Sequence, residues 1–164
     1  MTDHDPVALE LREFGRSLGM TRKSNSWYLR GTQVTIVLNL QKSIYSGQRY
    51  LNVAFWLNAL GDEPFPRESK CHIRLRLDSL LDDQEARIAA LLNPEEPIAD
   101  SDRRAQVREI LNARLRPFLE QMATLAGIKE VLTRGTLRHA AIQGAARAVI
   151  ERGAKENSAA GSRL

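Results

Sequence analysis

Between Trp27 and Leu77 the apolar residues of this chain recur at every second position, in four runs separated by turn-forming residues. Trp27 and Leu29 alternate with Tyr28 and Arg30, and Val34, Ile36, Leu38 and Leu40 with Thr35, Val37, Asn39 and Gln41. Leu51, Val53, Phe55 and Leu57 then alternate with Tyr50, Asn52, Ala54 and Trp56, and Ile73, Leu75 and Leu77 with His72, Arg74 and Arg76. Successive strand side chains point to opposite faces, so each run buries one face only. Gly31-Thr32, Ser46-Gly47 and a loop holding Pro64 and Pro66 divide the runs. Such short connections join antiparallel neighbours. The pattern predicts a four-stranded antiparallel meander.

Helical spacing flanks it on both sides. Asp5-Pro6 supplies a capping carboxylate and a proline where no N–H is needed, and Val7, Leu11, Phe14 and Leu18 form one apolar stripe. Gly19 then stands where a left-handed cap belongs, so the first helix is expected over 6–18. After the sheet, Ile88, Leu91 and Leu92 mark a short helix, and Val107, Ile110, Leu111 and Leu115 a longer one. Pro117 should kink that helix or begin another. The expectation is an α+β fold, with the N-terminal helix and the C-terminal helices packed on one face of the sheet. A single domain is expected over 1–152, with 153–164 as a flexible tail, because KENSAAGSRL offers little to bury.

The turns set an expected register. A two-residue turn at Ser46-Gly47 places Leu40 against Val53, Leu38 against Phe55 and Gln41 against Asn52. A turn centred on Gly31-Thr32 places Leu29 against Val34 and Trp27 against Ile36. Both keep the apolar set on one face. The other face collects Tyr28, Asn39, Gln41, Ser43, Tyr50, Asn52 and Trp56, joined by His72, Arg74 and Arg76 from the fourth strand. Asn and Gln are poor strand formers, yet each offers donors and acceptors without charge. They could tie the sheet together as a cross-strand amide pair. They could equally form a recognition face, with arginines for an anionic group and aromatics for contact area.

The early helix with Phe14 and Leu18, the WYLR of 27–30, the NLQKS of 39–43, Leu51-Asn52-Val53 and Cys71-His72-Ile73-Arg74 together resemble a bacterial family. It is catalogued as domain of unknown function 4304. The resemblance spans about residues 9 to 120 and leaves out the C-terminal third. It implies that Asn39, Gln41, Ser43 and Asn52 belong to the pattern by which the domain is recognised. The family carries no established activity, so the resemblance transfers no catalytic role.

Chemistry-bearing constellations are sparse. His4, His72 and His139 lack a second histidine or a carboxylate at ligand spacing, and the single Cys71 allows neither an internal disulfide nor a thiolate cluster. Cys71 and His72 are expected on opposite faces as strand neighbours, which keeps them from acting as a nucleophile–base pair. No Gly-rich phosphate loop occurs. No cofactor or metal is expected. A formal net charge of +4 permits nucleic acid without demanding it. The N-terminus lacks the basic-then-apolar build of a signal peptide, and a cytoplasmic location is expected. The expected function is non-catalytic recognition of another macromolecule, a protein before a nucleic acid, as in an immunity or accessory factor of a toxin or defence system. The alternatives are nucleic-acid binding through the polar face and an enzyme built on His72, Arg74 and the amides.

Overall fold

The computed structural model describes residues 4–161. Helix α1 runs Pro6–Ser17, and Asp5 caps it by accepting from the amides of Val7 (3.0 Å) and Ala8 (3.3 Å). Gly19 follows with φ +74°, the left-handed turn that leads the chain into the sheet.

The sheet is antiparallel and open, with strands in chain order: β1 Thr21–Lys23, β2 Ser26–Arg30, β3 Val34–Lys42, β4 Arg49–Leu57, β5 Ile73–Arg76 and β6 Ala141–Ile142. The four expected strands are β2 to β5. Two more lie at the edges, so the sheet has six strands among the described residues. β1 is Thr-Arg-Lys, exposed throughout, and β6 is two residues long, so neither carries an apolar alternation to read.

One face of β2–β5 forms the main core. Trp27, Ile36, Leu38, Leu40, Leu51, Val53, Phe55 and Ile73 are buried there against Val7, Leu11 and Phe14 of α1 and against the later helices. Those are α2 Leu77–Leu80, α3 Glu85–Leu92, α4 Asp100–Ile110, α5 Arg116–Gln121, α6 Leu125–Thr133 and α7 Gly144–Gly161. Between α4 and α5 the chain widens into a π turn over Leu111–Leu115, where the Arg116 N–H reaches Leu111 O. Pro117, with no N–H to give, sits in the first turn of α5, so a new segment begins there. In the expected tail 153–164, residues to Gly161 continue α7, and 162–164 lie outside the described residues. A Cβ at Gly153 would run into the Leu125 side chain, so α7 lies close on α6 at that point. No helix among the described residues is long and apolar enough to cross a membrane.

Both hairpin registers differ from expectation by two residues. Leu40 stands opposite Leu51 and Leu38 opposite Val53, because Ser43 N–H donates to Gln48 O (2.8 Å) and encloses a four-residue loop, Ile44 to Gly47. Leu29 stands opposite Ile36 and Trp27 opposite Leu38, because the Gly31–Val34 pair encloses Thr32 and Gln33. A shift of two returns every side chain to its face, so alternation alone cannot detect it. The glycines misled the turn assignment. Gly47 does not use a positive φ, and it lies beside the exposed Glu95 side chain, whose Oε1 would stand 2.8 Å from an added Cβ.

Candidate functional site

The second face of the sheet is assembled in rows by the cross-strand pairs. One row runs Lys23, Ser26, Asn39, Asn52, Arg76 through five strands. Beside it, toward the β3–β4 loop, lie Gln41 and Tyr50. On its other side come Tyr28, Val37, Ala54 and Arg74, and then Arg30, Thr35 and Trp56. The registers differ in their pairs, but Tyr28, Asn39, Gln41, Tyr50, Asn52, Trp56, Arg74 and Arg76 do share this face, while Ser43 lies beyond the end of β3.

The face is divided in two. The chain between β4 and β5 crosses the half around Tyr28, Val37 and Ala54 and buries it with Cys71 and Phe65. Phe65 meets the Tyr28 ring edge-on at 5.3 Å. Arg74 clamps this crossing, its Nε 2.9 Å from Glu68 Oε1. Tyr28 is therefore buried, and Arg74, its side chain 39% exposed, is engaged by Glu68. The other half is open.

In the open half the amides form a line of hydrogen bonds. Asn52 is 6% exposed, and its Nδ2 donates to Asn39 Oδ1 (3.2 Å) and to Gln41 Oε1 (2.9 Å). Asn39 Nδ2 donates onward to Ser26 Oγ (2.9 Å). The expected direct opposition of Gln41 and Asn52 is not found: Gln41 faces Tyr50, and Asn52 faces Asn39. The bond between the two amides exists as a diagonal. Asn52 spends both amide hydrogens inside the sheet, while Gln41 and Arg76 stand exposed. Arg76 lays its guanidinium over the Tyr50 ring at 4.0 Å.

Ser43 is not a ladder residue. Its Oγ accepts the Tyr45 N–H (3.1 Å) within the β3–β4 loop, and Ser46 Oγ accepts that of Gln48 (3.2 Å). The loop base is anchored to the helical layer. Gln48 Nε2 donates to Ala89 O (3.1 Å) in α3, and buried Arg49 donates to Leu92 O and pairs with Asp5. On this braced loop Ile44 is 87% and Tyr45 91% exposed, the two large hydrophobic side chains presented fully to solvent among the described residues. Reasoning from strand periodicity passed over them. The readable signal was an Ile-Tyr pair inside a turn otherwise made of Ser and Gly.

At the opposite end of the face, Trp56 and His72 pack together with ring centroids 4.2 Å apart and planes tilted by 41°. The Leu57 N–H donates to His72 Nδ1 (2.9 Å), so the neutral ring carries its proton on Nε2. Burial lowers the pKa of His72 below its ordinary value of 6.5. Cys71 and His72, expected on opposite faces, both serve this side of the sheet, because β5 begins only at Ile73 and Cys71 closes the turn Glu68–Lys70. They still form no reactive pair. His72 Nδ1 is taken by Leu57, and burial, aided by the Glu68 charge, pushes the Cys71 thiol up to about 12.

Nothing among curated proteins or solved structures matches the chain. The model of the family described as Domain of unknown function (DUF4304) matches residues 11–121, from within α1 to the end of α5. The match takes in β1 to β5, with every residue of the amide line, the β3–β4 loop and His72, and it ends before α6, β6 and α7. On that match the chain belongs to the DUF4304 family.

Proposed function

We propose that this protein is a non-catalytic recognition domain that binds a protein partner through the β3–β4 loop and the open half of the polar face behind it. The observation that carries this reading is the exposure of Ile44 and Tyr45 on a loop whose own hydrogen bonds and anchored base hold it in shape. Exposed aromatic and aliphatic anchors on a pre-ordered support lose little entropy on binding and dominate the energy of protein interfaces. Gln41, Tyr50 and Arg76 lie alongside as a polar rim, and the Asn52 line keeps that part of the sheet rigid.

The nucleic-acid reading draws less support. Stacking on a single strand needs free aromatic faces. Tyr28 is covered by Phe65, Tyr50 carries Arg76 and Trp56 packs on one side against His72, which leaves Tyr45 alone among the described residues fully exposed where a strand needs a run of open rings. The enzyme reading draws less still, since Arg74 is spent on Glu68 and Cys71 is held as a thiol.

Site-specific photo-crosslinking tests the proposal. A photoreactive phenylalanine analogue at position 45 should give a discrete protein adduct that is lost with Ile44→Asp. The same analogue at Arg147, exposed on α7, should give none. Equal adducts from both positions, or adducts to nucleic acid alone, would overturn it.

A further inference from the structure

The cleft beside His72 is the second place where the structure leaves unused binding capacity. It measures about 560 Å³, within the range of small-ligand sites. Trp56, Phe65, Arg67, Lys70, His72 and Gln143 line it. His72 is 6% exposed, one ring nitrogen is occupied by the Leu57 amide, and the other has no partner among the described residues. That second nitrogen is not sealed inside the fold: His72 lines the cleft, so its Nε2–H is available to an acceptor that enters there. Arg67 and Lys70 stand exposed on the rim without a carboxylate partner among the described residues. Glu63, the one acidic residue of the lining, has its Oε1 engaged by the Phe65 N–H (3.3 Å). The site is also braced from behind: Gln143 N–H donates to His72 O (2.9 Å), which joins β6 and the start of α7 to this wall.

We propose that this cleft binds a small oxyanion carried on a flat apolar body, the carboxylate or phosphate of a ring-bearing small molecule. The His72 Nε2–H donates to one oxyanion oxygen. Arg67 and Lys70 supply the opposing charge, and the Trp56 indole forms the wall against which the flat body lies. Charge-assisted donors fix the head and apolar contact holds the body, the usual division of labour in a small-molecule site. This site stands at the far end of the face from Ile44 and Tyr45, so it is independent of the protein-binding reading.

Titration of the ¹⁵N-labelled protein with benzoate, phenyl phosphate and inorganic phosphate tests it. The two tryptophans report separately, because Trp56 lines the cleft while Trp27 is buried in the main core. Phenyl phosphate or benzoate should shift the Trp56 indole and Leu57 amide signals saturably and leave the Trp27 indole in place. Whichever of the two binds tighter identifies the head group, and inorganic phosphate should bind at least tenfold more weakly than phenyl phosphate. An Arg67→Ala/Lys70→Ala double variant changes only exposed side chains, so it should stay folded and bind at least tenfold more weakly. Three results would overturn the proposal: no saturable shift up to about 10 mM, shifts unchanged in the double variant, or phosphate binding as tightly as phenyl phosphate.

Discussion

Asn52 stands directly opposite Asn39, and its Nδ2 donates to that neighbour across β3–β4 (3.2 Å) while also reaching diagonally to Gln41 Oε1 (2.9 Å). The two ends of the diagonal are not equivalent. Asn52 is buried and Gln41 is exposed. Asn52→Leu strips the half-buried Asn39 carbonyl of its donor and should cost roughly 1–3 kcal/mol, a fall of about 3–10 °C in a chain of this size. Gln41→Leu leaves Asn52 bonded to Asn39 and removes a side chain that is itself exposed, so its melting temperature should fall much less. Thermal melts of the two variants decide this. Equal losses would mean that the line is not centred on Asn52.

His72 gives the folded protein a pH dependence of known sign. Its folded pKa lies below 6.5 through burial, and the Leu57 N–H occupies the nitrogen that would take the second proton. Below about pH 6.5 the unfolded chain therefore binds a proton that the folded chain resists. Stability must drop as pH falls from there toward the depressed folded value, and the loss stops growing below it. In His72→Gln this part of the slope should vanish. Denaturant midpoints of wild type and variant between pH 7.5 and 5 make the comparison, and parallel curves would contradict the burial of a neutral ring.

Cys71 should be silent toward thiol reagents in the folded state. With its pKa pushed up to about 12, only about one thiol in ten thousand is ionised at pH 8, and the side chain is buried. Labelling should proceed only as fast as the protein opens, and rise to the free-cysteine rate in denaturant. Native-state labelling at the free-cysteine rate would show that the chain between β4 and β5 does not lie over the sheet as described.

The faces of the sheet were legible in the sequence because period two is a direct consequence of strand geometry. Val34 to Leu40 and Leu51 to Leu57 had only one way to bury themselves. Their pairing was not legible, because moving Leu40 from Val53 to Leu51 leaves every side chain on its own face, and only the length of the loop decides between the two. That loop length is hidden by Gly47, which reads as a turn glycine but takes no positive φ. The shared polar face survived the error in register, while the division of that face did not appear in advance. The cover over Tyr28 comes from a proline-bearing connection whose Phe65 has no periodic neighbours to announce it. Ile44 and Tyr45 escaped for the opposite reason: they lie outside every strand and helix, where periodicity assigns no role.

The proposed role of Ile44 and Tyr45 in binding and not in stability can be separated in a single variant. The Ile44→Asp/Tyr45→Ser double variant changes two side chains exposed at 87% and 91%, so its unfolding free energy should stay within about 0.5 kcal/mol of wild type. Its affinity for the protein crosslinked from position 45 should fall at least roughly thirtyfold, the loss of about 2 kcal/mol expected of a central interface anchor. Wild-type affinity in the double variant, with the fold intact, would contradict the account.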